Sequence, residues 1–130
     1  LYVPKDDVFM LDSEQFGMQV PPSIPDIIVE NGESFELAGF NFKFHHFPGH
    51  TPGTSMIEFD DCCFSGDFIF HGSVGRTDFP FSNPNDMKKS IQNFINDFND
   101  NKIIYPGHNG TTNVLEAKSM LPRWLMYLDN

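Results

Sequence analysis

The apolar residues Phe40, Phe42 and Phe44 alternate with Asn41, Lys43 and His45, a period of two that predicts a strand with one buried face. Two shorter runs precede it. Asp26 to Glu30 is an apolar run, Asn31-Gly32 has turn chemistry, and Ser34 to Leu37 follows. This pattern predicts two strands joined tightly. Downstream, Thr54 to Phe59 and Cys62 to Phe64 flank Asp60-Asp61 as a hairpin, and Phe68 to Phe70 continues the apolar character after Gly66-Asp67. Residues 26 to 70 thus carry an expected five or six strands.

Helical spacing surrounds and follows these strands. Lys5 to Phe16 predicts a short helix capped by Asp6 or Asp7, with Val8, Phe9, Leu11 and Phe16 as apolar positions. The segment Val20-Pro21-Pro22-Ser23-Ile24-Pro25 stops it. In Asn85 to Asn99, the residues Met87, Ile91, Phe94, Ile95 and Phe98 share one face behind Asn83-Pro84. Ile103-Ile104-Tyr105 reads as a buried strand, and Asn113 to Leu121 with Arg123 to Leu128 as a terminal helix broken at Pro122. Strands with helices before, between and after them indicate an α/β class. With no internal repeat and no long linker, residues 1–130 are expected to form a single domain.

Composition narrows the partners. The chain carries 18 acidic and 8 basic residues, a formal net charge of −10. That balance repels phosphate backbones and anionic lipid, so no nucleic acid and no membrane surface is expected as a partner. No apolar run approaches the roughly 18 residues that span a bilayer, and a cytoplasmic location is expected. Of the 15 Phe residues, Phe40, Phe42, Phe44, Phe94 and Phe98 follow strand and helix periods, and the Phe-rich pattern is expected to be ordinary core. Cys62 and Cys63 are adjacent, a spacing that strains a mutual disulfide and is not the CxxC of a redox or zinc motif. They are expected to be buried thiols in a reducing compartment.

Three phrases share one layout: Pro48-Gly49-His50-Thr51-Pro52-Gly53, Ser65-Gly66-Asp67 and Tyr105-Pro106-Gly107-His108. Each follows an apolar strand and sets one metal-competent side chain beside glycine, which lets the backbone turn sharply at a strand end. Two neutral imidazoles and one carboxylate suit zinc, iron or manganese, and one Asp can lend an oxygen to each of two ions. Three ligands cannot fill two sites. His45 and His46 alternate faces, so at most one points toward His50, and His71 is expected to be solvated. The chain has no GxSxG elbow and no GxxxxGK loop.

Taken in order, these phrases resemble the later metal-binding motifs of the metallo-β-lactamase fold hydrolases, in particular the glyoxalase II-like (hydroxyacylglutathione hydrolase-like) branch. Gly72-Ser73-Val74-Gly75-Arg76-Thr77-Asp78-Phe79-Pro80 and Glu116-Ala117-Lys118 extend the likeness. The resemblance implies the C-terminal part of a four-layer αββα sandwich, with His50 on a first metal, His108 on a second and Asp67 bridging. It further implies two divalent ions, most simply zinc, and hydrolysis of a small-molecule thioester by water acidified on the metals, with Asp67 orienting the attacking oxygen. The leaving thiol needs no protein acid, its pKa being about 8.5. Arg76 matches the place of a basic residue that contacts the glutathione carboxylate, and pairing with Asp78 is its structural alternative.

The family's HxHxDH motif is absent from these residues. The chain is therefore expected to lack an N-terminal part, to bind metal weakly and to be inactive alone. A half-fold would also expose an apolar face, which leads to an expectation of self-association. Two other readings share the fold: a persulfide dioxygenase-like enzyme with one iron, and a non-catalytic truncated binding module.

Overall fold

The structure, a computed structural model, describes residues 1–11 and 21–129. Strand β1 (Tyr2–Pro4) runs into a 3-10 helix, Lys5–Leu11. Strands β2 (Ile27–Val29), β3 (Ser34–Leu37), β4 (Phe40–His46), β5 (Ser55–Glu58), β6 (Cys62–Gly66), β7 (Ile69–Phe70) and β8 (Ser73–Val74) follow. Helix α1 (Pro84–Asp97), strands β9 (Ile103–Pro106) and β10 (Thr112–Asn113) and helix α2 (Val114–Leu128) complete the order. The expected helix over 5–16 is a 3-10 helix as far as Leu11, and its remainder lies outside the described residues.

The main sheet has six strands in the order β10-β9-β6-β5-β4-β3. Its neighbours are antiparallel except β6 and β9, which run parallel. Met56, Cys63 and Ile104 point from one face into the core, against Met87, Ile91 and Phe94 of α1 and Ala117 and Leu121 of α2. All eight are fully buried, and each large apolar side chain so buried contributes roughly 1.5–3 kcal/mol. Helix α1 starts where the sequence predicts, because the Asn83 side chain accepts from the Asn85 and Asp86 amides and Pro84 occupies the first turn. This helix-on-sheet layering is the α/β arrangement expected from the sequence.

The structure corrects several details. Glu30, Asn31 and Gly32 do form a turn, with Gly32 at φ 76°, but β2 and β3 do not pair. Strand β2 pairs in parallel with β1, and β3 pairs with β4, because the Gly32 amide donates to the Phe44 carbonyl and steers the chain to β4. Helix α2 is continuous through Pro122. Pro122 is exposed, and buried Ala117 and Leu121 hold the helix on the core across it.

The face of the sheet opposite the helices is aromatic rather than buried. Phe42 stacks on Phe59 and Phe64 on Tyr105, with centroids 5.4 and 5.5 Å apart, and Phe59 meets Phe64 edge-on at 5.7 Å. Only Phe44 of the alternating trio is fully buried; Phe40 is exposed. Tyr2 of β1 covers one end of this face, 5.1 Å from Phe35 and 6.0 Å from Phe42. Likewise Ile104 is buried while Ile103 and Tyr105 are exposed, so the strand expected to be buried has one covered side. Among the described residues, no helix is long and apolar enough to cross a membrane.

Far from the glycine-flanked motifs, Glu58 accepts from His45 Nε2 and Lys102 Nζ, both at 2.8 Å. Burial pushes the Glu58 carboxyl up, but the Lys102 and His45 hydrogen bonds and charges outweigh it and hold the group below its ordinary 4.5. A lowered carboxyl contributes stability above its unfolded value and loses it as pH falls through the folded one. Acid unfolding followed by the fluorescence of Trp124 should therefore be less pH-dependent below about 4.5 in Glu58→Gln than in the parent. Parallel curves for the two proteins would contradict this.

Candidate metal centre

Parallel pairing of β6 and β9 brings two of the three phrases to the same sheet end. Gly66 lies in register with Pro106, and the Gly107 amide donates to the Gly66 carbonyl at 2.7 Å. Asp67 and His108 leave these neighbouring strand ends together. A register shift between Phe64 and Gly66 re-aims the chain just before Asp67, as bulges do beside sites. The third phrase arrives from the loop between β4 and β5. Its first half is tied to α1: the Ser90 hydroxyl donates to the Pro48 carbonyl and the Asn83 amide to the Gly49 carbonyl.

The three side chains predicted from sequence converge. His50 Nε2 lies 3.3 Å from Asp67 Oδ2, and His108 Nε2 lies 3.5 Å from Asp67 Oδ1. One carboxylate thus offers a separate oxygen to each imidazole. The His50 Nδ1–H donates to the Arg76 carbonyl at 2.8 Å, so in the neutral ring the Nε2 lone pair faces the carboxylate. Nε2 and Oδ2 thus face each other, an arrangement that a bound cation would satisfy. A ring whose other N–H is held by a backbone carbonyl is also the usual second-shell arrangement of a metal-bound histidine.

Distance supports the same chemistry. Two donors about 2.0–2.1 Å from one tetrahedral zinc are about 3.3 Å apart. Both imidazole–carboxylate pairs match that edge length. Among the described residues, however, no three His, Cys, Asp or Glu side chains gather around one point. The chemistry and spacing of these residues would suit part of the donor set of a metal pair, and not a complete site for either ion.

The three residues open on a cleft of about 570 Å³ lined also by Phe70, Ser73, Val74, Arg76 and Phe79. The Phe70 ring stands edge-on to His108 at 5.6 Å and the Phe79 ring to His50 at 5.7 Å. Arg76 sits at the rim. Its guanidinium donates to both Asp78 oxygens, from Nε at 2.5 Å and Nη2 at 2.7 Å, and lies 4.3 Å from the Phe79 centroid. The Asp78 pairing raises the Arg76 pKa and lowers that of Asp78. Sequence reasoning missed that the Arg76 backbone, whatever its side chain does, orients His50.

The other histidines lie elsewhere. His71 is exposed and donates to the Thr111 carbonyl. His45 joins Glu58, and His46 Nε2 donates to the Pro52 carbonyl at 2.7 Å. His46 therefore reaches the backbone of the His50 loop, not its ring. Cys62 and Cys63 are free, Cys63 buried as expected and Cys62 only half-buried; burial first, then Glu58, pushes the Cys63 thiol up to about 12, and burial and Asp61 raise Cys62. Neither thiol is primed as a nucleophile.

Comparison with known proteins identifies the family and the fold. The chain is 36% identical over 125 residues to the hydroxyacylglutathione hydrolase GloC of Haemophilus influenzae, covering 89% of this chain and 59% of GloC. It is similar to the crystal structure of the BLEG-1 B3 metallo-beta-lactamase at TM-score 0.81 and 27% identity, covering 95% of this chain and 64% of that one. It is also similar to TTHA1623 in a di-iron-bound form, at TM-score 0.74 and 28% identity, covering 92% and 62%. The chain spans little more than half the length of the curated relatives it matches. The match to the Metallo-beta-lactamase superfamily runs over residues 1–108, through His50 and Asp67 to His108 itself, and on that match the chain belongs to this superfamily.

Proposed function

We propose that His50, Asp67 and His108 hold part of a two-metal hydrolase centre whose substrate is a thioester of the hydroxyacylglutathione type. The observation that carries the reading is the shared Asp67 carboxylate, with one oxygen toward each imidazole at 3.3 and 3.5 Å. Likeness to GloC supports the substrate class. The di-iron form of TTHA1623 leaves iron open beside zinc as the native metal.

A bound divalent pair supplies acidified water and polarises the substrate carbonyl. The chain's own residues do the rest. Asp67 ties the two strand ends to one carboxylate and orients the attacking water. Gly107 leaves room for that carboxylate, and Gly75 for the Asp67 backbone carbonyl and the His50 ring. Phe70, Val74 and Phe79 offer the acyl group an apolar wall, and Arg76 keeps N–H groups beyond its two Asp78 bonds for the carboxylate of a thiol carrier. No protein acid is needed for a leaving group with pKa about 8.5.

Alone, the 130 residues should bind zinc weakly, because further donors must complete both ions; a sub-micromolar two-site isotherm would contradict this. The reading is tested by fusing the chain to the portion of GloC that it does not span. The fusion should load two metals and hydrolyse a hydroxyacylglutathione thioester. Asp67→Asn in that fusion should lose more activity than the roughly 10–100-fold that second-shell changes cause. A fusion that loads metal and leaves thioesters intact would sink the proposal.

A further inference from the structure

His50 is aimed by a loop, and the loop's second half has no helix to hold it. Instead its polar groups run to Asp7 in the 3-10 helix Lys5–Leu11, more than forty residues earlier in the chain. Asp7 Oδ1 accepts the Gly53 amide and Asp7 Oδ2 accepts the Thr51 hydroxyl, both at 2.7 Å. The two contacts bracket Pro52 and begin one residue after His50.

The hydrogen bonds in this loop have one consistent direction. The Thr51 amide donates to Thr54 Oγ1 at 2.9 Å, and the two hydroxyls are 2.7 Å apart. Since the Thr51 proton goes to Asp7, the Thr54 hydroxyl must donate to Thr51 Oγ1. The chain of donors runs from the Thr51 amide through both hydroxyls and ends on Asp7, which also takes the Gly53 amide. Two donors converge on one carboxylate, and no neutral side chain of this size accepts both so well.

Packing makes the contact specific. A Cβ built on Gly53 would lie 2.6 Å from Asp7 Cγ and 2.8 Å from its Oδ1, so the close approach of the carboxyl requires glycine there. His46, 3.6 Å from Asp6 Oδ2, donates to the Pro52 carbonyl between the two Asp7 contacts. The Thr51 and Gly53 of the motif thus have a partner outside it.

We infer that Asp7 is a positioning residue for His50: by fixing residues 51–53 from a distant element, it keeps the imidazole aimed at Asp67. It touches no reacting atom. The inference rests on the reading of His50 as a metal ligand only for its consequence in metal binding.

The test compares Asp7→Ala and Thr51→Val with the parent chain, first without metal. Side-chain nitrogen NMR reads the His50 tautomer set by the Arg76 carbonyl, and proton contacts between the His50 and Phe79 rings read its orientation. Both signatures should weaken in each variant, and zinc affinity should fall roughly 10–100-fold. Unchanged His50 signatures in a folded Asp7→Ala chain would overturn the inference. If Asp7→Ala does not fold, Thr51→Val, which removes one hydroxyl and keeps the side chain's shape, decides between the same two outcomes. Zinc that leaves His50 and Asp67 of the parent unshifted would defeat the metal reading, while the metal-free signatures still decide the role of Asp7.

Discussion

Gly75→Ala is expected to remove the paired His50–Asp67 arrangement altogether. A Cβ at this position would overlap the Asp67 carbonyl oxygen and lie 3.2 Å from His50 Cγ. Neither neighbour can step aside cheaply. The carbonyl is backbone, and the Gly75 amide already donates to the Phe68 carbonyl at 3.2 Å, so the strand ends must separate. Overpacking of this kind costs roughly 1–3 kcal/mol where side chains can adjust, and more where they cannot. Zinc-induced NMR shifts at His50 and Asp67 should vanish.

Comparison with other glycines gives the prediction its controls. A Cβ added at Gly110 would meet nothing within 4 Å, and the residue has no left-handed φ, so Gly110→Ala should change neither stability nor zinc response. Gly72 also has open space but sits at φ 80°; Gly72→Ala should cost on the order of 1 kcal/mol of backbone strain and spare the site. If Gly75→Ala behaves like Gly110→Ala, glycine at position 75 does not serve to admit the Asp67 carbonyl and the His50 ring.

Much of this arrangement is written in local sequence, because strand ends are local. Alternation in β4, the face of α1 and the glycine beside each of His50, Asp67 and His108 are properties of a few consecutive residues. Pairing is not. Nothing within Asn31-Gly32 says that Gly32 bonds to Phe44 instead of closing a hairpin between β2 and β3. Pro122 breaks a helix only if the orphaned carbonyl is buried, and its exposure depends on where α2 docks. The sequence offered Asp7 only as a cap, whereas it lies inside the first turn of a 3-10 helix that begins at Lys5, and its partners Thr51 and Gly53 are brought to it by the fold. The open aromatic face likewise follows from what lies over the sheet, which alternation cannot report.

Phe68→Ala should have the largest effect on stability. Phe68 is fully buried directly after Asp67. Its ring stacks on Phe47 with centroids 4.5 Å apart and meets the edge of Phe94 at 6.0 Å, so it joins the strand end that carries Asp67 to the start of the His50 loop and to α1. Truncating a buried Phe to Ala costs about 3–5 kcal/mol, through lost transfer energy and the cavity left behind. Domains of this kind have about 5–15 kcal/mol in total, so a large share of the reserve would go. Urea unfolding is readable through Trp124, the single tryptophan, whose indole donates to the Gly72 carbonyl at 3.1 Å. The midpoint of Phe68→Ala should drop steeply with little change in slope, and Phe68→Leu, which keeps most of the volume, should lose far less. A Phe68→Ala cost below about 1 kcal/mol, the average for point substitutions generally, would mean that the ring is not the joint between core and site, and the coupling of Asp67 to the helix layer would have to run through the sheet alone.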